Sequence, residues 1–340
     1  MSTTPTRRRA RTLLGVCLAW VVCAGAGLMP ARAADVLYAT GGGVGALSGL
    51  HEVDPQTGAN HLLWGFQNVH LYNGGLAYDA ASDRLYATGA WDASTGTSTL
   101  FSIDRYTGVL AEVGPMGGST VNLTSGGLAV HPLTGVMYAT GGYNDGVSAH
   151  QSTGLFTVDK TTGAATLIGF AGGNCCSGDF GIMLNGLGFR SDGTLFANGW
   201  ALGGPSYPDP NQSHLFTVDL ATGAAADIGP SGISDGRSLK YSGLAFSADG
   251  TLLSTGSFDA ASGALFAIDP TSGAASSLTP PGPYGSGPVH FGVDGGLVFA
   301  PGAPVPEPAS VGLLLAGLAG MAVWRQRRGR HAGRDAAERA

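Results

Sequence analysis

The chain has 340 residues, with 58 Gly, 18 Pro, 44% hydrophobic and only 12% charged residues and a formal net charge of −6. Glycine at about one residue in six, against a usual ~7% and without a G-X-Y period, excludes collagen and points to short strands joined by many tight turns. Four Glu and two Lys in the whole chain exclude a helix bundle, which would be rich in both.

The N-terminus carries Arg7, Arg8, Arg9 and Arg11, an apolar run from Leu13 to Met29, and Ala31-Arg32-Ala33. Basic region, hydrophobic region and small-residue cleavage site follow one another as in a secretory signal peptide, so residues 1–33 are predicted to be removed after Ala33. Cys17 and Cys23 leave with it. The remaining pair, Cys175 and Cys176, excludes a disulfide framework. Residues 34–304 hold six basic residues against twenty acidic ones, a net charge of −14. Such a domain repels nucleic acid and anionic lipid and suits cations, cationic polymers or neutral glycans.

Residues 34–302 are a repeat. A Leu-Tyr-Ala-Thr-Gly-like phrase begins at Leu37, Leu85, Met137, Leu195, Leu252 and, degraded, Val298, at intervals of 46 to 58 residues. An Asp-x-x-Thr/Ser-Gly phrase begins at Asp54, Asp104, Asp159, Asp219 and Asp269. Each unit reads as four short strands A to D, for example Gly127-Val130, Met137-Thr140, Leu155-Asp159 and Ala164-Ile168, with strand C alternating apolar and polar residues. Four strands per period without a helix predict an all-β fold, a β-propeller, rather than an array of seven-stranded sandwiches. The Asp phrase falls in the C–D turn, where Asp caps its own backbone and Gly takes positive φ, a role preferred here to metal binding. Gly41 to Ala46 fits a dinucleotide fingerprint only formally, because no helix follows. The first strand, Leu37-Thr40, is of type B. It is predicted to be joined by a late A strand near His290-Val293, leaving the B-like Leu297-Ala300 over. That gives five blades, or six if the leftover strand starts its own. The repeats resemble the quinoprotein-like and YVTN-type propellers in architecture, without their sites.

In antiparallel blades the A–B and C–D turns share one face and the B–C and D–A loops the other. The latter are long and differ in every copy, and they hold Trp91, Tyr143, His150, Trp200, Tyr207 and His214. Aromatics beside polar residues on irregular loops make these the candidate binding face, with coverage of sheet ends as the competing reading. Cys175-Cys176, in a D–A loop, is open to a strained vicinal disulfide, two thiols or an intermolecular bridge.

The C-terminus reads Val305-Pro306-Glu307-Pro308, an uncharged stretch Ala309 to Trp324, and Arg325, Arg327, Arg328 and Arg330. It divides into a linker with the motif at 303–308, a short membrane helix at 309–324, and a basic cytoplasmic tail at 325–340. This order resembles the PEP-CTERM sorting signal. The resemblance implies recognition of Pro306, Glu307 and Pro308 by an exosortase-type membrane peptidase, with release to the envelope or extracellular matrix of a Gram-negative bacterium.

Two functions follow as expectations. One is a non-enzymatic surface or matrix module that binds extracellular polysaccharide or surface proteins. The other is a propeller hydrolase or quinoprotein-like dehydrogenase with a site in the central channel. No catalytic motif or metal-ligand spacing occurs in the sequence, so no cofactor is expected; calcium alone stays open, as a cation suited to an acidic domain.

Overall fold

The structure, a computed structural model, describes residues 34–302 apart from 42–47, 72–74, 92–97, 118–120, 124–125, 144–152, 173–180, 202–211, 232–238, 240–241, 260–261 and 279–294, and beyond them residues 317, 318 and 321. Chain contacts separate Asp35–Ala300 from the two ends. Residues 1–33, expected to be a signal peptide, the Pro-Glu-Pro motif and most of 309–324 lie outside the described residues. Gly317, Leu318 and Met321 are helical, and among the described residues no helix is long and apolar enough to cross a membrane.

Asp35–Ala300 forms five antiparallel sheets arranged as the five blades of a propeller. In order A, B, C, D, blade 1 comprises Leu297–Ala300, Val36–Gly41, Ser48–Val53 and Asn60–Phe66. Blade 2 comprises Leu76–Asp79, Arg84–Gly89, Thr99–Ile103 and Leu110–Pro115. In blade 3, Leu128–Val130, Met137–Tyr143, Gly154–Val158 and Ala165–Phe170 are joined by Val121–Asn122, which pairs with the far end of strand B. Blade 4 comprises Ile182–Phe189, Leu195–Ala201, His214–Val218 and Ala225–Pro230, and blade 5 Leu244–Phe246, Leu252–Asp259, Ser262–Ile268 and Ala275–Ser277.

The repeated phrases account for this packing. In the B strands successive side chains point to opposite faces, so Leu85 and Ala87 enter the seam with blade 1 while Tyr86 enters the seam with blade 3. The C strands of blades 2 to 5 each add one fully buried ring, Phe101, Phe156, Phe216 or Phe266. The result is five apolar clusters, one between each pair of neighbouring blades.

The Asp phrase makes the same turn five times. The Asp159 carboxylate accepts the N–H groups of Thr161 (2.7 Å) and Thr162 (3.1 Å), and Gly163 N–H donates to the Asp159 carbonyl (2.8 Å). The closing glycines, Gly58, Gly108, Gly163, Gly223 and Gly273, all have φ between 68° and 79°. The Thr161 hydroxyl and these N–H groups hold the Asp159 carboxyl below its ordinary range. The carboxylates are thus engaged by their own turns, as the sequence predicts.

The closing strand differs from expectation. Leu297–Ala300, read as a surplus B-like strand, is itself strand A of blade 1, with Leu37 opposite Phe299 and Val36 opposite Ala300. Among the described residues no strand remains to start a sixth blade, and His290-Val293 lies outside them. The physical mark of strand A is Gly-Leu-x-aromatic, as in Gly75-Leu76-Ala77-Tyr78, Gly243-Leu244-Ala245-Phe246 and Gly296-Leu297-Val298-Phe299.

Blade 1 breaks the repeat at one core position. His51 occupies the phenylalanine slot of strand C, is 2% exposed, and its Nδ1 has no partner among the described residues. Burial, helped by His61 and opposed by a hydrogen bond to the Gly41 backbone, pushes its pKa down to about 4. The unfolded chain, with an ordinary histidine near 6.5, therefore binds a proton that the folded chain refuses, and stability falls as pH drops from about 6.5 to about 4. The turn carboxylates have folded pKa values below their ordinary 3.8 and titrate beneath this window. Thermal melts of His51→Phe, which restores the repeat's residue, should show a flatter pH dependence between 6.5 and 4; an unchanged slope would place the titration elsewhere.

Candidate functional site

Two surfaces are available, one at each end of the propeller axis. On the axis, one glycine just before strand A, or within it in blade 4, approaches the next blade closely. A Cβ built on Gly75, Gly127, Gly186, Gly243 or Gly296 would come within 3.0 Å of backbone atoms of Leu128, Asn185, Ser242, Leu297 or Leu76 respectively, closer than real Cβ atoms come. Each contact leads to the following blade, and the last returns to the first. The A strands therefore meet in a ring of five glycines that closes the axis.

The Leu-Tyr-Ala-Thr-Gly threonines hold that ring. Thr88 Oγ1 accepts the N–H of Gly75 (2.6 Å), Thr140 that of Gly127 (2.9 Å), Thr255 that of Gly243 (2.8 Å) and Thr40 that of Gly296 (2.9 Å). In blade 4, Asn198 Oδ1 does the same for Gly186 (2.7 Å). All five side chains are buried, so the hydroxyl or amide satisfies a backbone donor that water does not reach.

Below the ring the A strands splay into a blind cup of about 500 Å³, whose mouth is rimmed by the A–B turns. Tyr78, Val130, Phe189, Phe246 and Phe299 form a tier of its wall. Each A strand is the inner edge of its sheet, so its second row of backbone donors and acceptors also faces the axis. Among the cup-lining residues Asp79 is a buried carboxylate. Lys160 of the next blade reaches it at 3.0 Å and Ser82 donates to it at 2.7 Å. Burial pushes the Asp79 carboxyl up, but Ser82 and Lys160 prevail and hold it below its ordinary range. The sequence gives no linear sign of this cup beyond the glycine of the A phrase.

The opposite end carries the B–C and D–A loops. Here the residue at or just before the start of strand C pins the D–A connection or, in blade 4, strand A itself: Ser48, Ser98, Thr153 and Ser213 hydroxyls accept N–H groups of Leu71 (2.9 Å), Leu123 (2.6 Å), Leu184 (2.9 Å) and Leu239 (3.1 Å). Each of these leucines is buried. Of the residues expected at this face, Trp91 is 48% exposed, donates its indole N–H to Glu112 (2.7 Å), and rests edge-on against Phe101 with centroids 5.3 Å apart. Tyr143 is half-buried against Phe156 and Phe170. Trp200 and His214 lie inside blade 4, 9% and 7% exposed, with His214 Nδ1 3.1 Å from Asp227. His150, Tyr207, Cys175, Cys176, Pro306, Glu307 and Pro308 lie outside the described residues. Within the described structure the face therefore rests on Trp91, with Tyr143 beside the end of its own blade.

A charged cluster in blade 2 also reaches blade 1 through a side-chain hydrogen bond between Arg105 and Tyr38. Asp83, in the αL conformation at φ 52°, accepts from Tyr78 (2.9 Å), Tyr106 (3.1 Å) and the buried Arg105 (2.8 Å). Arg105 lies over the Tyr78 and Tyr106 rings. Its donors and acceptors are matched to one another, as in a structural staple.

Comparison with known proteins places a PEP-CTERM protein-sorting motif at residues 304–328. This motif implies an exported protein and membrane-associated sorting toward the cell envelope, with processing by an exosortase. No curated protein matches the chain. Among solved structures, TolB from Acinetobacter baumannii is 13% identical, covering 83% of this chain and 61% of its own, with a TM-score of 0.41. An exo-β-1,3-galactanase from Phanerochaete chrysosporium, solved with β-1,3-galactotriose, is 11% identical, covering 73% and 63%, with a TM-score of 0.49. The chain thus spans less than two thirds of either structure.

Proposed function

We propose that the chain is delivered to the cell surface or extracellular matrix, cut by an exosortase-type peptidase at Pro306-Glu307-Pro308, and acts there as a non-enzymatic binding module. Its ligand on this reading is a neutral or cationic extracellular polysaccharide. The observation that carries the reading is Trp91, a large ring left in solvent on the loop face with its polar edge fixed by Glu112. A fixed aromatic offers an apolar platform at little entropic cost, with a carboxylate beside it for hydroxyl groups. The charge of −14 disfavours anionic polymers. The enzyme alternative needs reactive groups converging at the axis, whereas the cup's carboxylate Asp79 is tied up by Lys160 and Ser82; this supports binding over catalysis.

The test uses mature protein recovered from the producing cells. Mass spectrometry is expected to find an N-terminus near Ala34 and no peptide beyond Pro308. Trp91→Ala is expected to weaken binding to the cells' own polysaccharide by about 30-fold, corresponding to ~2 kcal/mol for a hot-spot ring, with the melting temperature unchanged. Full-strength polysaccharide binding by this variant would remove the loop face from the proposal, and capture of a surface protein instead would change the ligand.

A further inference from the structure

Five copies of one unit make the propeller its own control. Among its described residues the large apolar side chains left exposed are Trp64, Trp91, Tyr106, Val109, Leu62, Leu133 and Val136. The first four gather about one turn and one strand of blade 2. Trp64, on the outer strand of blade 1, lies over Gly108: a Cβ built there would meet its Cδ2, Cγ and Cε3 atoms within 3.0 Å. These atoms surround the ring fusion, so one face of the indole covers the glycine, and at 37% exposure the other is open to solvent. Tyr106 and Val109 belong to the same turn. The other four turns have Gln56, Thr161, Ala221 or Thr271 in place of Tyr106, and alanine in place of Val109. Trp64 stands opposite Leu50 of strand C, and Gly114, Gly169 and Gly229 stand opposite the matching leucines of blades 2 to 4. A side chain on any of these glycines would strike the carbonyl of Thr162, Thr222 or Ser272 in the next blade. The repeat therefore calls for glycine at this place, and blade 1 departs from it with an indole.

We infer that the outer end of the seam between blades 1 and 2 is a groove that binds a neutral polysaccharide along its length, with Trp64 as a second platform beside Trp91. The inference deepens the binding function proposed above and rests on it. Phe101 packs in the seam with blade 1. Its cross-strand partner Glu112, which accepts the Trp91 indole N–H, points the same way. Both indoles are thus set where blade 2 faces blade 1, Trp91 by Glu112 and Trp64 by Gly108. Four residues at ~3.3 Å each separate these two anchors by about 13 Å, a span that one sugar ring does not cover and a run of them does. Strand Leu110–Pro115 is the outer edge of its sheet, with Ala111 and Glu112 exposed, so the path between the rings follows a solvent-facing edge. Flat apolar rings suit the C–H faces of sugars, and the carboxylate between them accepts hydroxyl groups and repels an anionic chain.

The experiment titrates mature protein from the producing cells with the cells' own polysaccharide, cut by partial acid hydrolysis into neutral fragments of graded length. Affinity is expected to rise steeply with length until a fragment spans both platforms. Trp64→Leu, which keeps an apolar side chain without a flat face, should bind long fragments about tenfold more weakly and show a flattened length dependence, while the shortest fragments still bind at Trp91. Trp64→Phe, which keeps a flat ring, should retain most of the length dependence. Both variants are compared with the unaltered protein well below their melting temperatures. Equal losses in the two would make Trp64 a packing residue and overturn the inference. Undiminished, length-dependent binding by Trp64→Leu, with Trp91→Ala impaired, overturns the second platform and leaves the Trp91 reading standing. Undiminished binding by both Trp64→Leu and Trp91→Ala overturns that reading and this one together, as does capture of a surface protein without any binding of polysaccharide.

Discussion

Gly127→Ala is expected to destabilise the propeller by at least about 3 kcal/mol, at the upper end of the cost of overpacking a core. The added methyl would be driven into the Asn185 carbonyl and the Leu187 N–H, and neither side can retreat. Gly127 is fixed by Thr140 from its own blade (2.9 Å), and the same threonine hydroxyl donates to the Asn185 carbonyl (3.0 Å). Movement would open the next contact of the ring, because each glycine faces the following blade. For a domain of this size, 3 kcal/mol lowers the melting temperature by roughly 10 °C. Gly65→Ala is the matched control. It lies on an outer D strand where an added Cβ meets nothing within 4 Å, and it should be neutral or gain up to about 1 kcal/mol from a less flexible unfolded chain. Denaturant unfolding of the two variants decides the matter. Equal stability would mean that close approach at the axis is not what demands glycine.

The contrast between these glycines shows where sequence reasoning reaches and where it stops. The Asp-x-x-Thr/Ser-Gly turns were legible because donor, acceptor and positive-φ residue lie within five consecutive positions, and all five close as expected. The blades were legible because the Leu-Tyr-Ala-Thr-Gly phrase states both the period-two alternation and the repeat length. The threonine of that phrase looks like an ordinary β-former in sequence, yet it holds a glycine N–H 12 or 13 residues away in three of the five blades. In blade 1 the same bond spans 256 residues. The glycine ring is a relation between blades, created only when five edges converge on an axis, so no window of sequence contains it. Leu297–Ala300 was misread for a related reason: Val298-Phe299-Ala300 imitates the B phrase, while the Gly296-Leu297 pair before it identifies strand A. Trp200 and His214 occupy loop boundaries in sequence, but burial there is decided by how far strands B and C of blade 4 extend. Trp91 sits one residue past the Ala90 bridge to His70 and escapes into solvent.

Ending the chain before Leu297 is expected to abolish cooperative folding, whereas ending it at Pro304, which removes the sorting motif, is expected to leave the melting temperature unchanged. The four residues of strand Leu297–Ala300 carry several terms at once. Leu297 is buried in the seam between blades 5 and 1, and Ala300 in the seam between blades 1 and 2. A buried leucine alone is worth about 2–5 kcal/mol. Strand Val36–Gly41 loses its inner partner, the Leu297 backbone facing Gly243 disappears from the ring, and the edge of that strand opens to intermolecular pairing. Together these approach the ~5–15 kcal/mol that stabilises a typical domain. The closure also comes late, since bringing Gly296 to Thr40 spans 256 residues and chain entropy must be spent before the contact returns anything. A synthetic peptide covering residues 290–302 should therefore rescue the truncated chain by supplying strand A in trans. The readout is recovery of a single sharp unfolding transition together with loss of aggregation. A truncated chain that melts like the one ending at Pro304 would show that four blades and an incomplete fifth suffice, and that the pairing of the two ends does not hold the ring shut.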